Sequence, residues 1–170
     1  MTKTNQKQNS ECIRVLLADD CPLILAGIHA TVAAETDLIV VGEATDGTEA
    51  QHLSRELEPD VLLLDLEMPG PPPMGIVAYL HQHCPTMKII ALTGDNNDDA
   101  IRDLVTAGVA GCLLVTEPPE VVVQTIRSVV RGGIWFSRLI IEKLMQEPTQ
   151  TSLPHLTREE LVVLRLIVAG

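Results

Sequence analysis

Positive charge is scarce in this chain. Its 170 residues include 12 lysines and arginines against 23 aspartates and glutamates, for a formal net charge of -11 at pH 7. Phosphate backbones are bound by basic faces, so a nucleic-acid surface is not expected from these residues. Long apolar runs are also missing: no uninterrupted stretch reaches the ~18 residues of a membrane-spanning helix, and the polar residues 1–10 lack the apolar core of a secretion signal. A membrane is therefore excluded as a partner, and the expected compartment is the cytoplasm. Paired cysteines are absent too. Cys12, Cys21, Cys84 and Cys112 are scattered with no C-x-x-C pair, which fits reduced, small, mostly buried thiols. Cys21 stands apart, since it follows an acidic pair. Aromatic residues number three, and Trp135 and Phe136 are the only adjacent ones.

Short branched apolar runs alternate with helical patterns along most of the chain. Strands are expected at 13–18, 38–42, 61–65, 88–92 and 111–115. Between and after them, helices are expected at 22–33, 48–57, 76–83, 98–107 and from Pro118 and Pro119 to Arg131. Prolines open the first and last of these helices, and Gly108 fits the stop of the fourth. Five βα units with right-handed crossovers are most simply an α/β, doubly wound, five-stranded parallel sheet of flavodoxin-like order. That order sets the first and third strands side by side.

The first strand ends in Asp19 and Asp20, and the third ends in Asp65. In such sheets ligands sit beyond the carboxyl ends of the strands, where the order reverses, so three carboxylates are expected to converge there. Two carboxylates ~4 Å apart repel by about 4 kcal/mol near a protein surface. The cluster calls for a cation, a proton or a chemical modification. Aspartates also cap helices, but a cap needs one carboxylate per helix and leaves the doubled residue unexplained. The fourth strand ends in Thr93, which adds a hydroxyl at the same edge. Together these are the parts of a Mg2+-dependent acyl phosphate: carboxylates for the metal, one carboxylate to attack phosphorus, and a hydroxyl for the product oxygen.

With these residues in place, the stretch from Ile13 to Gly133 resembles the receiver domain of bacterial two-component response regulators. The strings Leu-Leu-Ala-Asp-Asp-x-Pro, Asp-Leu-Glu-Met-Pro-Gly and Ala-Gly-x-x-Gly are those of the NarL/FixJ subgroup. The resemblance implies that Asp65 is the phosphoacceptor, that Asp19, Asp20 and Asp65 hold Mg2+ with the backbone carbonyl of Glu67, and that Thr93 is the switch hydroxyl. It also implies a sensor histidine kinase as phosphodonor and a homodimer. Helix residues Val121, Val122, Val123 and Ile126 offer more apolar surface than one buried face requires, which places the dimer face on the final receiver helix, alone or with the fourth helix and fifth strand. Packing of the extra valines against the following linker helix is the competing expectation.

Departures from the family pattern matter as much. Where members carry a string like Gly-Tyr-Leu-Leu-Lys, this chain has Gly111, Cys112, Leu113, Leu114 and Val115. Val115 takes the place of the cation that pairs with the phosphoryl group, and Cys112 the place of the aromatic that turns inward. Two outcomes are open: phosphorylation that couples weakly to any switch, or a valine that completes a buried strand while Mg2+ suffices. After Asp65, Pro71, Pro72 and Pro73 replace a Met-Pro-Gly-x-x-Gly pattern, so this loop should be stiff.

Beyond Gly133 the character changes. Residues 134–153 read as a linker holding a helix over 139–145, capped by Ser137 and anchored by Trp135, and residues 1–11 as a disordered tail. Residues 154–170 resemble the opening of a LuxR-type helix-turn-helix domain, with Thr157 and Glu160 as a capping box. The recognition helix is not among them, so DNA contact is expected only through a missing C-terminal part. The function expected is that of a response regulator receiver in a phosphorelay controlling transcription. An atypical receiver working as a phosphorylation-independent protein-interaction module is the alternative. A phosphohydrolase of the haloacid dehalogenase type wants Asp-x-Asp-x-Thr, which is absent at Asp65, so no enzyme is expected.

Overall fold

The computed structural model describes residues 12–94 and 98–146. Six strands form one parallel sheet in the order β2-β1-β3-β4-β5-β6: β1 Ile13–Ala18, β2 Leu38–Ala44, β3 Val61–Asp65, β4 Lys88–Thr93, β5 Gly111–Leu114 and β6 Trp135–Phe136. The helices are α1 Pro22–Ala33, α2 Gly47–Leu57, α3 Pro73–His83, α4 Asp98–Thr106, α5 Pro119–Val130 and α6 Arg138–Gln146. The expected α/β fold and the pairing of β1 with β3 are both present. Alternate residues of each strand supply two cores. Leu16, Leu62, Leu64, Ile89 and Ala91 face one way with Ile76, Leu80 and Leu104, while Val15, Leu17, Leu63, Ile90 and Leu113 face the other with Leu25, Val122, Ile126 and Val129.

Several boundaries move for local reasons. Helix α3 starts at Pro73 rather than at 76, because proline at the first helical position costs no hydrogen bond and the first turn closes from Ile76 N to Pro72 O at 3.1 Å. Strand β2 runs to Ala44, past a register shift opposite Val15 and Leu16. Gly108 ends α4 region as expected, at φ 88°, where its N–H reaches Val105 O.

The sixth strand is a larger difference from the five expected. Gly132, at φ 88°, turns the chain after α5, and the next residues run back along β5, pairing Gly111 with Trp135 and Cys112 with Phe136. Gly111 permits this approach, since a Cβ there would lie 2.8 Å from Trp135 O. The two aromatics divide: Phe136 is buried in the core with Cys112 and Ile140, and half-buried Trp135 packs on the opposite core. Helix α6 then lies against α4. Ser137 sits at the cap position of α6, its carbonyl accepting the Ile141 N–H at 3.1 Å, and it also ties the helix to β5: its hydroxyl accepts the N–H of Leu114 at 3.3 Å, and its own N–H donates to Cys112 O at 3.0 Å.

The valines of α5 also correct an expectation. Val122 and Val123 are both buried, and half-buried Val121 packs on the same core. They face the sheet and α1, in the core on the opposite side of the sheet from the one that takes Ile140 of α6, so Val122 and Val123 do not supply the spare apolar surface expected of α5. Arg127 of α5 ties down the turn between α1 and β2, binding Asp37 through two hydrogen bonds of 2.8 and 2.6 Å and Glu35 at 2.7 Å. No helix among the described residues is long and apolar enough to cross a membrane. Residues 1–11 and 147–170, with the expected tail and helix-turn-helix segment, lie outside the described residues.

Candidate functional site

Because β1 and β3 are neighbours in register from Val15 with Val61 to Ala18 with Leu64, the residues that follow them meet at one edge. Asp19, Asp20 and Asp65 each bring a carboxylate oxygen within 4.8 Å of the others. The sheet thus brings together the three carboxylates picked out from the sequence. Asp19 and Asp65 are buried and Asp20 is exposed.

Hydrogen bonding separates this cluster from a set of helix caps. Helix α1 has Cys21 at its cap position and no side-chain cap, while Asp19 Oδ1 accepts the Cys21 N–H at 2.8 Å. Asp65 Oδ1 accepts the Glu67 N–H at 3.2 Å, well before α3 begins. These bonds turn the loops and fix the carboxylates. The other oxygen of Asp19, Oδ2, is buried with no hydrogen-bond partner. A buried acceptor without a donor is costly, and a cation is the ligand that would satisfy it among carboxylates.

Electrostatics agree with that reading. Burial first, and then the charges of Asp19, Glu67 and Asp20, push the Asp65 carboxyl up to about 6 against the single opposing bond from Glu67 N–H. Asp19 is raised as well, mainly by burial and further by Asp20. Hard oxygen donors, negative charge and an unsatisfied oxygen fit Mg2+. At neutral pH Asp65 is chiefly ionised and so able to act as a nucleophile.

Thr93 ends β4 beside this edge, buried, with its carbonyl accepting the Val115 N–H at 3.0 Å. Glu67 is exposed on the loop after Asp65. The loop before the proline run is pinned to α2: Gly47 N–H donates to Pro69 O at 2.9 Å, and Gly70, at φ 120°, leaves room for this contact. Val115 is 38% exposed and lies just past the end of β5. Cys112 is fully buried, and burial pushes its thiol up to about 12. The Ser137 contact was not legible in the sequence, since nothing local marks a hydroxyl that bonds to a strand 23 residues away.

A family model described as the response regulator receiver domain matches residues 15–127. The chain belongs to that family. Among curated relatives, this receiver is 34% identical over 163 residues to the transcriptional regulatory protein LiaR of Bacillus subtilis, covering 93% of this chain and 77% of that one. It is 27% identical over 168 residues to the nitrate/nitrite response regulator NarL of Escherichia coli K12, covering 95% and 78%. Among solved structures, one of two RcsB dimers bound to two parallel DNAs superposes with a TM-score of 0.75 at 26% identity, covering 94% of this chain and 78% of that one. The receiver is thus of the NarL type of two-component regulator.

Proposed function

We propose that this receiver accepts a phosphoryl group on Asp65, and that Asp19, Asp20 and Asp65, with the backbone carbonyl of Glu67, hold the Mg2+ that the reaction uses. The observation that carries the reading is the buried Asp19 Oδ2, unpartnered among three converging carboxylates. A divalent cation held there would offset the charge of the carboxylates and of the incoming phosphoryl group. An Asp65 oxygen forms the new bond to phosphorus while the bond from phosphorus to the donor's leaving group breaks. Asp19 and Asp20 flank it, Glu67 N–H holds the Asp65 carboxylate in place, and the Thr93 hydroxyl donates to a phosphoryl oxygen.

A sensor histidine kinase is the natural donor, and control of transcription in the cytoplasm is the output. DNA contact belongs to a helix-turn-helix part that begins near residue 154, and the receiver proper is residues 12–133 with the linker at 134–153. Homodimer formation is part of the proposal, in keeping with the dimers of RcsB. The chain is a regulator and not an enzyme for other substrates. Incubation with acetyl phosphate and Mg2+ should add one phosphoryl group to the intact mass, and the adduct should vanish in Asp65→Asn. Absence of the adduct under conditions that label another receiver overturns the reading.

Val115 supports a second one. With an aliphatic side chain at this edge, the fold would serve as an interaction module whose contacts do not depend on phosphate. Equal partner binding by the unmodified chain and by Asp65→Asn would favour it.

A further inference from the structure

On the α1 and α5 side of the sheet, a cavity of about 210 Å3 opens one strand over from Asp65. Alternation along the strands fixes its place. Leu63 and Leu92 belong to the core on that side, so Asp65, two residues after Leu63, faces the same way and is paired in register with Leu92. Leu92 and Val115 both line the cavity, together with Ile24 and Ile28 of α1 and Val122 of α5. Glu117 is the single acidic side chain in the lining. The volume is many times the 10–15 Å3 that one water requires, and apolar walls hold water poorly.

Charge and shape at this place ask for different halves of one ligand. The charges acting on Asp65 are those of Asp19, Glu67 and Asp20, all negative. Neighbouring strands are about 5 Å apart, so a group lying over Leu92 is within reach of Asp65. One divalent cation leaves three carboxylates short of neutrality, and a phosphoryl group would add further negative charge. The walls beside it are mostly apolar, with Thr31 and Glu117 as the polar side chains among them.

We propose that this cavity takes the side chain of a lysine presented by a partner protein, its methylenes against Ile24, Leu92 and Val122 and its ammonium directed to Asp65. The partner thereby supplies in trans the positive charge that Val115 does not, and phosphorylation becomes stable in the complex and weakly held outside it. This rests on the reading of Asp65 as phosphoacceptor and names what completes that site.

The full chain with Mg2+ tests it, with n-butylammonium as probe and tetramethylammonium at equal ionic strength as control. Amide shifts of Gly27 and Val115 should follow n-butylammonium alone, before any phosphoryl mimic is added. Half-saturation by beryllofluoride should then fall about tenfold, the scale of one charge-assisted hydrogen bond, and should fall likewise with Nα-acetyl-lysine amide. Gly27→Leu fills the cavity from α1, where an added Cβ meets nothing within 4 Å, and should abolish the effect. Val115→Lys should bind beryllofluoride tightly with no added amine. Equal effects of both cations, or an effect that survives Gly27→Leu, overturns the proposal, and a response to n-butylammonium but not to the lysine amide overturns the lysine. Amide shifts with no beryllofluoride binding under any condition would instead overturn the phosphoacceptor reading and leave the amine site standing.

Discussion

At the scale of single residues, the ionisation of Asp65 sets a pH dependence of known sign. Its carboxyl is raised to about 6 in the folded chain, against about 3.9 when unfolded. Between these values the fold holds a proton that the unfolded chain has released, so the contribution of Asp65 to metal-free stability falls as pH rises from about 4 to about 6. The penalty above that window is of order 3 kcal/mol. Chemical denaturation in chelator should show this slope, and Asp65→Asn should flatten it and gain stability at pH 7.5. Millimolar Mg2+ should raise the melting temperature of the unsubstituted chain and do much less for Asp65→Asn. The same slope across the window in chelator for the unsubstituted chain and for Asp65→Asn would contradict the assigned burial of Asp65. These carboxylates were legible in sequence because each ends an apolar run, and strand ends of a parallel sheet share an edge. The unpartnered oxygen of Asp19 was not legible, because it depends on which lone pair the Cys21 N–H takes.

Among the elements, β6 and α6 carry the least legible part of the fold. Two residues give no period to read, and the pairing of Trp135 with Gly111 comes from a glycine in another strand that lacks a Cβ. The longer helices and strands could be read because their apolar spacing repeats several times, as at Ile101 and Leu104 in α4, both buried. Excess valine on α5 misled for the opposite reason: Val122 and Val123 are both buried, facing the sheet and α1. The clasp at Ser137 has a testable contribution. Ser137→Ala removes the acceptor for Leu114 N–H and should cost about 1 kcal/mol in urea denaturation. Ile140→Asp places a charge in the core that Ile140 shares with Cys112 and should cost several kcal/mol. If both variants melt as the unsubstituted chain does, α6 is not part of the folded unit.

For the whole molecule, surface chemistry limits how two copies meet. Val122, Val123 and Val129 of α5 are inside, and α6 lies on α4, so among the described residues the exposed apolar side chain that stands out is Leu23 of α1, 81% exposed. Sedimentation at ~100 μM, far above the micromolar range of a specific interface, should show a dimer, and Leu23→Glu should shift it toward monomer with no loss of fold. A monomer for the unsubstituted chain at that concentration removes homodimerisation from the proposal.

The stacking of Phe136 and Ile140 with Cys112 makes the linker a lid over a chemical clock. Cys112 is fully buried and its thiol is held near 12, whereas Cys12, Cys21 and Cys84 are half-buried. Thiolate is the reactive form, so under native conditions a haloacetamide should label the three partly exposed cysteines first. Label at Cys112 then accumulates only as fast as the segment carrying Phe136 and Ile140 lifts from the sheet. Peptide-resolved mass spectrometry over time would give that lifting rate directly. Comparing it with and without acetyl phosphate would show whether chemistry at Asp65 is felt where the chain leaves the receiver.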